Sequence, residues 1–111
     1  NVRDWIYVED NCRAIQFVLE NGEKGQTYNI AGGNEKKNID IATDILQRLS
    51  LHETTIEFVN DRPGHDYRYS LDCAKIHQLG WKPEVGFEQG LQKTIDWYAA
   101  NKRWWHELVD H

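Results

Sequence analysis

An α/β architecture of short strands alternating with amphipathic helices is the fold class this sequence predicts. Brief β-branched and aromatic runs sit at residues 5–8 (Trp5-Ile6-Tyr7-Val8), 27–30 (Thr27-Tyr28-Asn29-Ile30) and 55–59 (Thr55-Ile56-Glu57-Phe58-Val59). Between them lie stretches whose apolar residues recur at helical spacing. Glycines or a Pro-Gly pair punctuate most of the joins.

The first run reads as a strand, and Glu9-Asp10 opens a helix from residue 10 to about residue 21, with Ala14, Ile15, Val18 and Leu19 as its apolar positions and Gly22 as its stop. Residues 27–30 read as a short strand that ends in the loop Ala31-Gly32-Gly33. Asn38 has the character of an N-cap, and Asp40 falls in the first turn, where the helix dipole favours a carboxylate. Ile41, Ala42, Ile45, Leu46 and Leu49 form the stripe of that helix. Residues 55–59 alternate as a half-buried strand should, Pro63-Gly64 makes a turn, and residues 67–71 read as a further extended piece. Asp72 is placed to cap a brief helix through Leu79 that Gly80 stops. After a loop at Trp81-Lys82-Pro83, Phe87 starts the last long helix, with Phe87, Leu91, Ile95 and Tyr98 on one face.

At 111 residues the chain is one domain at most, and 40% hydrophobic with 28% charged residues is an ordinary globular composition. A net charge of −5 supplies no broad basic face, so nucleic acid is not an expected partner. No apolar run approaches the roughly 18–20 residues of a membrane-spanning helix, so no membrane partner is expected. Cys12 and Cys73 could pair, but nothing else suggests a disulfide scaffold, and buried free thiols of a cytoplasmic protein are the expectation. The chain has no methionine and opens at Asn1-Val2-Arg3-Asp4-Trp5, already inside what reads as ordered structure, so it is expected to be part of a longer protein.

Two places collect anion-binding chemistry. Gly32-Gly33-Asn34-Glu35-Lys36-Lys37-Asn38 is a glycine loop that leads from a predicted strand to a helix N-terminus, where backbone N–H groups and the dipole favour an anion. It is neither a Walker loop nor a Gly-x-Gly-x-x-Gly dinucleotide fingerprint. Asn38 either caps its helix or bonds a ligand, and the two roles are compatible. The second place is the pair of segments around Arg3 and Arg62, each beside a short predicted strand. The planar guanidinium fork matches two phosphate oxygens at once and keeps its charge near neutral pH. His65, just past the Pro63-Gly64 turn, can add a hydrogen bond.

Other signals carry no site. Tyr98 and Lys102 match a Tyr-x-x-x-Lys spacing, but Tyr98 lies on an apolar stripe among Trp97, Trp104 and Trp105, and the match is read as chance. Cys73 and His77 stand at i and i+4, yet two ligands make no zinc site, so no metal is expected.

Taken together, the segments resemble the C-terminal part of the dTDP-glucose 4,6-dehydratase family of extended short-chain dehydrogenases/reductases. The resemblance rests on Val2-Arg3-Asp4-Trp5-Ile6-Tyr7-Val8-Glu9-Asp10, Tyr28-Asn29-Ile30, Gly32-Gly33-Asn34-Glu35-Lys36-Lys37-Asn38 and Asp61-Arg62-Pro63-Gly64-His65-Asp66. Leu79-Gly80-Trp81-Lys82-Pro83, Phe87-Glu88-Gln89-Gly90-Leu91 and Thr94-Ile95-Asp96-Trp97-Tyr98 continue it in family order. The resemblance implies a Rossmann-type parent enzyme that binds NAD in an N-terminal domain absent from this chain. Residues 1–111 would be the C-terminal part that binds the dTDP-sugar, and the intact enzyme would be a cytoplasmic homodimer.

The implied reaction oxidises the sugar at C4, eliminates water across C5–C6 and returns the hydride to C6; oxidation acidifies the C5 proton so that a carboxylate can remove it. Arg3 and Arg62 would hold the diphosphate, and Asn38 would contact the nucleotide with His65 nearby. Asn34 is a further candidate in the same loop. The catalytic groups would all lie outside this chain, so the segment alone is expected to be inactive. Asn11 and Tyr67 depart from the family pattern, as do Ala31 at the strand exit and the short loop at residues 49–55; Tyr67 bears on nucleotide preference. Epimerisation or decarboxylation of a nucleotide sugar on the same scaffold, or a non-catalytic binding module, are the alternative readings. The five tryptophans are expected to cover surface that packs against the missing domain.

Overall fold

A computed structural model of the chain describes residues 1–52, 56–67 and 71–109. Its elements run β1 (Val2–Asp4), α1 (Val8–Asn21), β2 (Glu35–Lys37), α2 (Asn38–Arg48), α3 (Ala74–Leu79), α4 (Phe87–Ala100) and α5 (Lys102–Val109). β1 and β2 pair antiparallel with Val2 opposite Lys37, Arg3 opposite Lys36 and Asp4 opposite Glu35. The α/β class is as predicted, with fewer and shorter strands among the described residues than the sequence suggested.

The first four helices match expectation closely, because apolar periodicity and stop residues are strong local signals, but the helix from Phe87 is not the last: it ends at Ala100 and α5 follows. Gly80 ends α3 at φ 121°, a conformation that favours glycine. Cys73, not Asp72, occupies the N-cap position of α3; Asp72, one residue ahead, still accepts the Ala74 N–H on Oδ1 at 2.9 Å. α1 starts two residues ahead of the predicted start, at Val8.

The strands differ. Residues 5–7 are irregular, and the ladder lies just upstream in the polar Val2-Arg3-Asp4. Ile6 packs on the core instead, and Tyr7 lies under α4, where a Cβ on Gly90 would come 3.0 Å from the Tyr7 Cβ. Residues 27–30 are also irregular, with Tyr28 and Ile30 packed against the core. In both places the apolar residues serve burial, and their β-propensity reports fit to a half-buried surface instead of pairing. Residues 56–59 form no strand, and Phe58 and Val59 are exposed; Thr55, together with residues 68–70 of the expected extended piece at 67–71, lies outside the described residues.

The core centres on Ala14, Ile76 and Trp81, with Phe17, Val18, Ile30 and Cys73 against it. Asp10 ties α1 to the loop before α4. It is 1% exposed, and its carboxylate accepts Arg13 Nη2 at 2.6 Å, Glu84 N–H at 3.1 Å and Val85 N–H at 3.0 Å. Burial pushes its pKa up, but Arg13 and the two amides outweigh that and hold it below the ordinary value. Arg48 joins α2 to α4 through Gln92 at 3.0 Å and through Glu88.

The radius of gyration is 16.7 Å, against about 13 Å for a compact domain of this length. One face of α1 carries exposed Val8 (62%), Ile15 (56%) and Leu19 (84%), with exposed Cys12 on the same stripe. Phe58, Val59, Trp104, Leu108 and Val109 are exposed as well. Trp81 is in the core, and the indoles of Trp5 and Trp105 bond to Lys36 O and Tyr98 O. Trp97 and Trp104 are the exposed ones. Cys12 is exposed and Cys73 half-buried, both free thiols, which corrects the expectation that both are buried.

Candidate anion-binding site

The site is built where the end of the Arg-Pro-Gly turn meets the edge of β1. Val2 N–H donates to Tyr67 O at 2.7 Å, which holds the segment after the turn against the strand. Gly64 takes φ 73°, as the Pro-Gly reading requires, and His65 N–H closes the turn on Arg62 O at 3.2 Å. His65 is thereby brought to Arg3, whose Nη2 lies 3.0 Å from His65 Nε2 and donates to Asp66 O at 3.2 Å. Arg3 Nη1 donates to Val2 O at 2.8 Å. These contacts fix the plane of the guanidinium fork before any ligand arrives.

Asn1 joins the cluster, its Nδ2 standing 3.0 Å from His65 Nδ1 and 3.2 Å from Nε2. Asp61 closes it from the solvent side: Oδ1 lies 2.5 Å from His65 Nδ1 and accepts the Arg62 N–H at 3.0 Å. His65 holds the Asp61 carboxyl below its ordinary pKa. The sequence analysis left Asp61 and Asn1 unassigned. A carboxylate four residues ahead of a histidine across a Pro-Gly turn was the available signal for Asp61.

The other predicted residues fall in different relations to this cluster. Arg62 is exposed within the turn. Asn38 is the first residue of α2; Lys37 occupies the N-cap position, with no side-chain cap bond. The capping expectation for Asn38 therefore fails, because it sits one residue inside the helix; its own backbone N–H is satisfied by Asn1 O at 2.8 Å. Its side chain is exposed at the helix N-terminus, one backbone link from the cluster.

Asn34 serves the loop. Its Nδ2 donates to Trp5 O at 3.1 Å and Gly32 O at 3.3 Å, while Asp4 Oδ1 accepts the Gly32 and Asn34 N–H groups, each at 3.1 Å. Those donors are committed inside the protein. Gly32 is required here, since a Cβ would fall 2.2 Å from Trp5 O. An apolar cleft of about 230 Å³ lies between residues 5–7, α2 and α4; Asn34 lines it, and Arg3, Arg62, His65 and Asn38 do not.

Tyr98 is in α4 and Lys102 opens α5, with Asn101 between them outside both helices. Among the described residues no group of His, Cys, Asp or Glu could hold a metal. No described helix is long and apolar enough to cross a membrane.

A family model described as GDP-mannose 4,6 dehydratase matches residues 1–94. The chain belongs to this family. Within it, the chain is 47% identical to a dTDP-glucose 4,6-dehydratase of Escherichia coli over 98% of its own length. It spans 33% of that relative, about a third. Among solved structures it is similar to the dTDP-glucose 4,6-dehydratase of Bacillus anthracis in complex with NAD, with a TM-score of 0.90 and 45% identity over 97% of this chain and 34% of that one. The corresponding enzyme of Streptomyces venezuelae, with NAD and TYD bound, gives 0.92 and 43% over the same shares. The fold is accordingly part of an extended short-chain dehydrogenase/reductase, as the sequence resemblance implied.

Proposed function

We propose that this chain is the dTDP-sugar-binding part of an NAD-dependent dTDP-glucose 4,6-dehydratase, which converts dTDP-glucose to dTDP-4-keto-6-deoxyglucose and water. The observation that carries the reading is the convergence of Arg3 and His65 at one strand edge, in a chain 43–48% identical to enzymes of that name. Arg3 and Arg62 hold the diphosphate, His65 lies beside it, and Asn38 presents its amide from the N-terminus of α2. Asn34 shapes the loop between them. Arg3, held in place before the ligand binds, lowers the cost of ordering side chains around it.

NAD has no fit to these residues, since the chain contains no dinucleotide glycine fingerprint. The cofactor and the catalytic groups belong to the remaining two-thirds of the protein, and no chemical step is assigned to this chain. Its task is to bind and orient. We further place the protein in the cytoplasm as a homodimer; the unpaired thiols Cys12 and Cys73 fit a reducing compartment.

The test is a product assay on the full-length protein with dTDP-glucose and UDP-glucose in parallel. The 4-keto-6-deoxy product from dTDP-glucose is expected, and no product from either sugar would overturn the reading. In the same protein Arg62→Ala should weaken dTDP binding by about 1.5–3 kcal/mol, the range for a hydrogen bond to a charged group. Unchanged affinity by calorimetry would reduce Arg62 to a solvated turn residue.

A further inference from the structure

The described surface offers several candidates beyond the anion site: the apolar cleft, the exposed stripe of α1, the aromatic end of α4 and α5, and Asp61. The first three carry no observation that names an occupant. Asp61 does carry an inference, which rests on the diphosphate-binding reading of Arg3.

A neutral imidazole donates from one ring nitrogen and accepts at the other, and the partner of one nitrogen decides the role of the second. At Nδ1 the partner is a carboxylate oxygen at 2.5 Å, which has no proton to give and requires Nδ1–H as donor. At Nε2 the partner is an obligate donor, Arg3 Nη2 at 3.0 Å, which requires a bare lone pair. The two requirements agree on one tautomer. Asn1 Nδ2 stands 3.0 Å from Nδ1 and 3.2 Å from Nε2 and does not distinguish the two nitrogens. The same Asp61 oxygen accepts the Arg62 N–H, so one carboxylate fixes both the turn backbone and the ring.

We propose that Asp61 is a positioning residue: it locks His65 as the Nδ1–H tautomer, turning the Nε2 lone pair on Arg3 and holding the guanidinium fork ready for a diphosphate. Without Asp61 the proton moves to Nε2 in part of the population. An Nε2–H then faces the Arg3 N–H, and the fork loses its side-chain partner while the contacts to Val2 O and Asp66 O remain. Asp61 touches no ligand in this scheme and acts through His65.

The experiment uses the full-length protein with Asp61→Ala and Asp61→Asn. Long-range ¹H–¹⁵N correlation at about pH 8 reports which nitrogen of His65 carries the proton, and calorimetry with thymidine diphosphate reports affinity. Wild type should show Nδ1–H. Asp61→Ala should shift the ring toward Nε2–H and weaken the nucleotide by about tenfold, the lower end of what is lost when the partner orienting a binding histidine is removed. Asp61→Asn, which keeps an acceptor oxygen, should retain Nδ1–H and most of the affinity. An unchanged tautomer in Asp61→Ala overturns the lock. A changed tautomer with unchanged affinity overturns the positioning role. A wild-type protein that shows Nδ1–H but does not bind the nucleotide sinks the proposed function instead, and the tautomer of Asp61→Ala still decides the lock.

Discussion

Replacing Asp10 by alanine should open the loop before α4 without touching the anion site. The carboxylate is 1% exposed and accepts the backbone N–H groups of Glu84 and Val85 at 3.1 and 3.0 Å. Each buried donor left without a partner costs about 1–3 kcal/mol, and the two share one loop, so about 2–4 kcal/mol for the pair is the expected loss. Against a total of about 5–15 kcal/mol for an ordinary domain, that is a large fraction.

Native-state hydrogen exchange on the full-length protein reads it locally: protection of the Glu84 and Val85 amides should fall by about 30- to 1,000-fold. Asp10→Asn keeps one acceptor oxygen and should lose less. The pH dependence has a definite sign. The folded pKa of Asp10 lies below its ordinary value, so its contribution is fully present above the unfolded pKa of about 3.9 and is lost as pH falls through the folded value. Wild-type protection at residues 84 and 85 should therefore decline in acid, while Asp10→Ala should lack that step. Unchanged protection in Asp10→Ala at neutral pH would refute the assignment of Asp10 as the anchor of the loop.

Gly32→Ala places a methyl 2.2 Å from Trp5 O, and the backbone must move by more than a side chain can absorb. A loss of about 1–3 kcal/mol in urea unfolding is expected, with exchange of the Asn34 amide accelerated as Asp4 loses its hold. Leu19→Asp, on the exposed stripe of α1, should leave the helix intact by circular dichroism and change urea stability by no more than about 0.5 kcal/mol, since Leu19 is 84% exposed. A larger loss would mean that the stripe is covered.

The helices were legible in the sequence because their signals are local. Periodic apolar positions and the stop at Gly80 hold wherever the chain sits. The strands were not, because residues 5–7 and 27–30 have strand composition but spend it on burial around Ala14, Ile76 and Trp81. The pairing went to Val2-Arg3-Asp4 and Glu35-Lys36-Lys37, whose polar side chains give no periodic signal. A ladder of three residues each side is chosen by tertiary context, since Asp4 must reach Gly32 and Asn34 and Asn1 O must meet Asn38 N–H. The same context took the N-cap position from Asn38: β2 runs directly into α2, so Lys37 stands at the cap and Asn38 is already inside the helix.

The anion site divides along the same line. The juxtaposition of Arg3 with His65 was only suggested by the sequence, where each residue's chemistry is readable one at a time, and Arg62 stays exposed in the turn. Asp61 was not legible, because a carboxylate next to an arginine reads as a solvated charge until the turn places it on the far side of a histidine ring. What the fold adds to the residue types is direction. Gly64 at φ 73° reverses the chain so that His65 returns past Arg62, and Tyr67 O then fastens the segment to Val2 at 2.7 Å. A substitution at Gly64 that forbids positive φ would therefore separate Arg3 from His65 with every charged residue still present. By that argument the order of Asp61, the turn, His65 and the β1 edge makes the site, and the count of cations alone does not.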